Sequence, residues 1–295
     1  MMIQFSSHNI RLDDGTYTKP DADYPMESHP WFLAARRVID ATFSGDRSRV
    51  SVIDLGCLEG GYTVEFARLG MQALGLDVRE ANIEAARYVQ SRVGLPNLRF
   101  VQDTVWNAET YGTFDFTFCC GLFYHVDRPV ALMHLLSRVT KRVLFLQTHF
   151  SDAKDSPSWI QPRRLRRMIG KFIPLKRTAT TTHKLSFLTE HEGVPGRWCR
   201  EYRSARAWRD RENRRWASWE NRRSFWIQRE YIFQVMREAG FDLVFEQLDV
   251  LGNDIAAEIL SGSYRTSGRS TFVGIKTAYA STESAPATPA ALRRE

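Results

Sequence analysis

Val52-Ile53-Asp54-Leu55-Gly56-Cys57-Leu58-Glu59-Gly60-Gly61 is the stretch that decides how this chain is read. An apolar run over residues 50–55 passes straight into glycines, and a helical pattern follows over 62–69. Glycine tolerates positive φ and lets the backbone approach a ligand, and the first N–H groups of the next helix are open to an anion. Two nucleotide sites are excluded. The spacing from Gly56 is Gly-x-x-x-Gly-Gly, not the dinucleotide Gly-x-Gly-x-x-Gly, and no Gly-Lys-Ser/Thr follows to cradle a triphosphate.

Outward from this turn, strand and helix patterns alternate. Strands are expected at 50–55, 72–77, 98–102, 114–120 and 142–148, with helices at 30–43, 62–69, 80–93 and 130–139. Short apolar runs separated by helical segments mean βαβ units, a parallel sheet and helices on both faces. Ligands of such sheets sit beyond the carboxyl ends of the strands. Asp77 ends the second strand and Asp103 follows the third, with Thr104 next to it. A carboxylate after the second strand can accept both hydroxyls of a ribose. The fourth strand runs into Phe118-Cys119-Cys120-Gly121-Leu122-Phe123-Tyr124-His125.

Together these residues resemble the class I S-adenosylmethionine-dependent methyltransferases. Asp54, Gly56 and Gly60 match the acid and two glycines of that family's first motif, and Leu58 stands where its middle glycine would be. The resemblance implies that the glycine loop shapes a methionine pocket, that Asp77 holds the ribose and that Asp103 reads the adenine amine. Thr104 and Cys120 complete the expected cofactor contacts. The Gly-Leu-Phe-Tyr-His segment is closest to a branch that includes small-molecule O-methyltransferases and tRNA-uridine-modifying enzymes. The implied fold is α/β: a Rossmann-like, doubly wound, mostly parallel seven-stranded sheet with an antiparallel last strand, supplied by 270–277. The expected cofactor is S-adenosyl-L-methionine, with S-adenosyl-L-homocysteine as product.

Residues 151–224 break the alternation. They hold 19 Lys/Arg against 8 Asp/Glu and five of the eight tryptophans, including Trp159 and Trp198. The whole chain carries only +7, so its basic character belongs to this segment. Residues 203–223 read as a basic helix. Trp faces stack on sugars and Arg binds hydroxyls, carboxylates or phosphates, so the segment reads as a cap over an acceptor site, with Tyr124, Trp159 and Trp198 as substrate contacts. The α/β pattern resumes with a helix at 228–239, ended by Gly240, and strands at 242–247 and 270–277. The organisation is an arm (1–28), a cofactor-binding core (29–150), the cap (151–224), the completion of the core (225–278) and a tail (279–295) whose composition reads as disordered. Tyr17 and Trp31 are expected to help close the pocket.

Methyl transfer to a hydroxyl needs a base near the cleft, and histidine titrates in the useful range. His149 ends the fifth strand and is the preferred base; His125 follows the fourth strand and is the second candidate. Asp127 could orient an imidazole or help hold a divalent metal. His183 and His191 would reach the cleft only if the cap folds over it. The four cysteines form no CxxC pair, so neither disulfides nor zinc are expected. No set of metal ligands can be assembled, and a divalent ion such as Mg remains unsupported. The acceptor is expected to be a sugar, glycolipid or other small metabolite, with RNA the less favoured partner. A catalytically inactive cofactor-binding interaction protein is the other alternative. No apolar run approaches the roughly 18 residues that span a bilayer, and the start lacks a secretory pattern, so the expected location is cytoplasmic.

Overall fold

Alternating apolar strands set the frame. β1 (Ser51–Leu55), β2 (Gln72–Asp77), β3 (Leu98–Gln102), β4 (Phe114–Cys120), β5 (Thr140–His149), β9 (Leu243–Gln247) and β10 (Arg269–Ile275) form one seven-stranded sheet. Its order is β3-β2-β1-β4-β5-β10-β9, and β10 runs antiparallel to both β5 and β9. The computed structural model describes residues 3–152, 185–248 and 268–277, with positions 256 and 260 besides.

The period of two along each strand divides the sheet's faces. In β5, Val143 and Phe145 join the core beneath α1 (Pro30–Thr42), α2 (Gly61–Arg68) and α3 (Glu80–Arg92), whereas Leu144 and Leu146 join the opposite core. On the first face Phe118 stacks on Phe145 with centroids 5.1 Å apart, and Phe66 packs edge-on to Phe118. Burying one such ring stabilises the fold by about 2–3 kcal/mol. The second face is covered by α4 (Pro129–Val139) and a later helix, Arg229–Glu238. The strand order reverses between β1 and β4, which puts the glycine turn after β1 at the point where such sheets open a crevice.

The arm is irregular but packed. His8, Asn9, Ile10 and Leu12 are buried against the core, and Met26–Ser28 forms a 3-10 turn before α1. Pro30 sits in α1's first turn, and the His29 imidazole accepts from Trp31 N at 3.3 Å.

The cap differs from its expectation. Its described part is a second, antiparallel sheet of β6 (Thr189–His191), β7 (Val194–Arg200) and β8 (Arg223–Ile227), in the order β6-β7-β8. Phe225, Trp226 and Ile227, expected to open the returning core, pair with β7 instead. The helix expected at 203–223 shrinks to α5 (Ala205–Arg209), followed by a 3-10 turn at Arg211–Asn213. Arg229–Glu238 is therefore α6. Tertiary stacking overrides the helical pattern here. Arg211 lies over Trp219 at 4.7 Å and over Trp208 at 4.9 Å, while Arg79 of the core lies over the same Trp219 at 5.3 Å. A continuous helix would hold Trp208 and Trp219 roughly 16 Å apart along its axis, too far for one guanidinium to cover both. Trp159 and His183 lie outside the described residues.

The β6–β7 turn of the cap is anchored to the core by a carboxylate. Glu192, at the β6–β7 turn with φ 51°, accepts from Val130 N at 2.8 Å and Ala131 N at 3.1 Å. These are open N–H groups at the start of α4, the end of a helix that favours negative charge. Among the described residues no helix is long and apolar enough to cross a membrane.

Candidate active site

The glycine turn is built by backbone bonds to β2. Gly56 N and Cys57 N both donate to Leu76 O, at 2.8 and 3.0 Å. Gly60 has φ 83°, and a Cβ there would run into the Phe100 ring, so this position needs glycine for both conformation and space. Leu58 also adopts a left-handed conformation, φ 49°, which ordinarily costs a side chain about 1 kcal/mol or more. That geometry aims Leu58 N at Asp77 Oδ2, 3.1 Å away, and the Leu58 side chain becomes a wall of the cavity.

Asp77 is 4% exposed, and its Oδ1 accepts from Arg79 N at 2.9 Å and Asn82 Nδ2 at 3.1 Å. Oδ2 accepts only from Leu58 N among the described residues, which leaves a lone pair for a ligand hydroxyl. Burial raises the Asp77 carboxyl above its ordinary value, against the hydrogen bonds from Arg79, Asn82 and Leu58. Asp103 accepts from Thr104 N, Asn107 Nδ2 and Tyr111 Oη, which together outweigh desolvation and hold it low.

A cavity of about 260 Å³ runs along the ends of β1, β2 and β4. Gly56, Asp77, Asp103, Thr104, Cys120 and Tyr124 line it, and so does His125. Asp54 and Gly60 stand behind it. Asp54 accepts from Thr63 Oγ1 at 2.7 Å and is pushed up to about 7, by burial first and by Asp77's charge, against the Thr63 bonds. Burial pushes the Cys120 thiol up to about 12, so it is a neutral wall. Trp31 lines the cavity, whereas Tyr17 does not: its hydroxyl donates to Glu27 at 2.8 Å.

Two segments that the sequence left vague close the cavity. From the arm, Ser6 N and His8 N donate to the fully buried Glu59 carboxylate, at 2.7 and 3.1 Å, and His8 Nδ1 accepts from Gly61 N at 2.9 Å. From the cap, Arg215 Nη1 reaches Glu59 at 3.2 Å, Arg79 Nη2 donates to Ala217 O at 2.6 Å, and the Thr104 hydroxyl bonds Glu220. An acid inside a buried glycine loop needs partners, so Glu59 was the one available sign that other segments converge here.

The two candidate bases are placed differently. His149 is outside the cavity lining: its ring stacks on Trp226 at 4.9 Å, meets Tyr124 edge-on at 4.6 Å, and has Nδ1 3.0 Å from Gly268 O. His125 lines the cavity and has Nδ1 3.0 Å from Oε1 and 3.1 Å from Oε2 of Glu201. Glu201 directly follows β7, 76 positions from His125, and nothing in the sequence links them. Asp127 does not orient an imidazole through its carboxylate; it is its backbone oxygen that His191 Nε2 meets, at 2.8 Å. His191 packs on Trp198 and Phe225, and neither His191 nor Trp198 lines the cavity. Trp198 turns its ring to Phe225 and to the Arg223 guanidinium, so the expected substrate contact is a cap-packing residue. Among the described residues no group of three His, Cys, Asp or Glu side chains is placed to hold a metal.

Comparison with known proteins agrees with this geometry. Residues 52–142 match a family model described as a methyltransferase domain. A ubiquinone biosynthesis O-methyltransferase from Proteus mirabilis is 32% identical over 92 residues, covering 30% of this chain and 37% of the relative. The one from Leptothrix cholodnii is 25% identical over 162 residues, covering 53% and 65%. The chain thus matches less than two thirds of these relatives' length. The crystal structure of the N-terminal domain of EvdMO1 in the presence of SAH and D-fucose superposes with a TM-score of 0.60 at 22% identity, covering 92% of this chain and 91% of that one. The SAH-bound structure of the same domain gives 0.56 at 23% identity, covering 84% and 82%. The sheet has the Rossmann-like fold of these solved structures, and residues 52–142 match the methyltransferase domain.

Proposed function

We propose that this chain transfers the methyl group of S-adenosylmethionine to a hydroxyl of a small acceptor: a sugar, a glycolipid or another small metabolite. The observation that carries the reading is Asp77, buried at the end of β2, lining the cavity, with Oδ2 partly unsatisfied beside the glycine turn. That is the donor–acceptor arrangement a ribose diol needs. Asp103 and Thr104 lie at the end where an adenine would rest, and Gly56, Leu58 and Cys120 line the end toward the methionine. Bound there, the cofactor would supply an electrophilic methyl carbon on a positively charged sulfur.

The protein's task is then to hold the acceptor oxygen in line and roughly 3 Å from that carbon, and to exclude water. Tyr124 and His125 stand at the end of β4, where the acceptor would enter, and the arm and cap cover the rest. The names of the curated relatives support an oxygen acceptor, and the D-fucose in a neighbour's title supports trying sugars. The phenolic hydroxyl suggested by ubiquinone biosynthesis is the second reading. Incubation with methyl-labelled S-adenosylmethionine and a panel of hexoses, deoxyhexoses and catechols tests both. Label appearing in a sugar supports the first reading, label only in catechols supports the second, and micromolar cofactor binding with no transfer to any hydroxyl would favour an interaction protein.

A further inference from the structure

The structure assigns Glu201 of the cap as the positioning residue that turns His125 into the proton acceptor of the site, so that the cap supplies half of the chemistry rather than a lid alone. The inference rests on the methyltransferase reading above.

Glu201 is held from several directions. Its side chain is 7% exposed, against 17% for His125. Besides His125 Nδ1, it accepts from Ser224 Oγ at 2.6 Å and Ser218 N at 3.3 Å. Ser224 is on β8, and Ser218 is on the cap loop that covers the cavity. Burying a carboxylate is costly unless it is paired. In a segment this rich in arginine the ready partner would be a guanidinium. Among the described residues, however, Glu201 forms no ion pair with an arginine, and an imidazole takes the place. Burial pushes the Glu201 carboxyl up, but the His125 charge and the bonds from His125, Ser224 and Ser218 outweigh it and hold it below its ordinary value. It is an anion where it stands.

An anionic carboxylate is an acceptor only, so the Nδ1 facing it carries the hydrogen. In the neutral ring that leaves the lone pair on Nε2. Nε2 makes no hydrogen bond among the described residues, and the ring belongs to the cavity wall beside Tyr124, whose centroid is 4.2 Å away. Asn221 Nδ2 donates to His125 O at 3.0 Å and fixes the backbone from the cap side. A base oriented by a third group is the arrangement that general-base catalysis requires. His125 Nε2 takes the acceptor's hydroxyl proton as that oxygen's pair bonds the methyl carbon and the carbon–sulfur pair returns to sulfur. Glu201 stays ionised and faces the imidazolium. His149, by contrast, is packed between aromatic rings outside the cavity lining.

The test reads tautomers and needs no known acceptor. Full-length protein saturated with S-adenosylhomocysteine is examined by long-range proton–nitrogen NMR at mildly alkaline pH, with His125 assigned from a His125→Gln sample. The expected wild-type spectrum shows Nδ1 protonated and Nε2 bare. Glu201→Gln should move His125 to a mixed or Nε2-protonated form while S-adenosylhomocysteine affinity stays within about twofold. A wild-type ring protonated at Nε2, or a variant with the wild-type tautomer, overturns the assignment. The wild-type spectrum decides by itself if the variant does not fold. Failure of the wild type to bind S-adenosylhomocysteine would instead sink the methyltransferase reading, and calorimetry shows that separately.

Discussion

The core and the cap of this molecule differ in how far local sequence pattern foretells the final structure. In the core, β1, β2 and β3 pair in sequence across one helix each, and local pattern and final position agree even where β10 reaches β5 from more than a hundred residues away. In the cap, β8 returns to β7 only after the loop at 201–222, which carries its own Arg–Trp stack. The core supplies a pocket from local sequence; the cap supplies groups to it, Glu201, Arg215 and Glu220, through contacts that no local pattern announces.

The largest expected effects fall on the core alone. Gly60→Val forces a side chain into Phe100 at a left-handed position and should cost about 3 kcal/mol or more in urea unfolding. A loss below about 1 kcal/mol would mean the turn relaxes easily and the core is less rigid than described.

Next is the pH dependence of the core. Asp54 has a folded value of about 7 against an ordinary 3.8, so the native state holds its proton more tightly. The associated stability is full below about pH 4 and is lost as pH rises through about 7. Asp54→Asn should therefore match wild type near pH 4 and exceed it by about 4 kcal/mol above pH 7. Equal pH profiles for the two proteins would contradict the buried position of this carboxyl.

A smaller effect tests the join between the two regions. Glu192→Ala removes the acceptor for Val130 N and Ala131 N and should cost about 1 kcal/mol. Proteolysis should then cut the cap before the core; simultaneous loss of both would show a single cooperative unit instead. The smallest is Leu58→Gly. Relief of left-handed strain and added chain entropy nearly cancel, so stability should move by less than about 1 kcal/mol. A larger loss, seen by thermal melting, would show that the Leu58 side chain holds the turn.

How much was legible follows the same division. β2, β3 and β4 occupy the positions their apolar runs indicate, and Asp77 and Asp103 fall at strand ends beside the glycine turn. What was hidden has physical reasons. β7 contains Pro195 and Gly196, which weaken any strand pattern. The basic helix expected at 203–223 follows from charge and spacing, yet Arg–Trp stacking draws that segment into turns. His149 is the natural base by position at the end of β5, but Trp226, from a strand that pairs within the cap, stacks on it. Trp198 was placed at the acceptor by its chemistry and lies instead within the cap's own packing.

The central claim is that the carboxylate ending β2 makes this cavity a S-adenosylmethionine site. Calorimetric titration with S-adenosylhomocysteine, wild type beside Asp77→Ala, tests it most directly. Micromolar binding by the wild type and a loss of about a hundredfold or more in the variant, with circular dichroism unchanged, are expected. Absence of binding by wild type, or equal affinity in the two proteins, would contradict it.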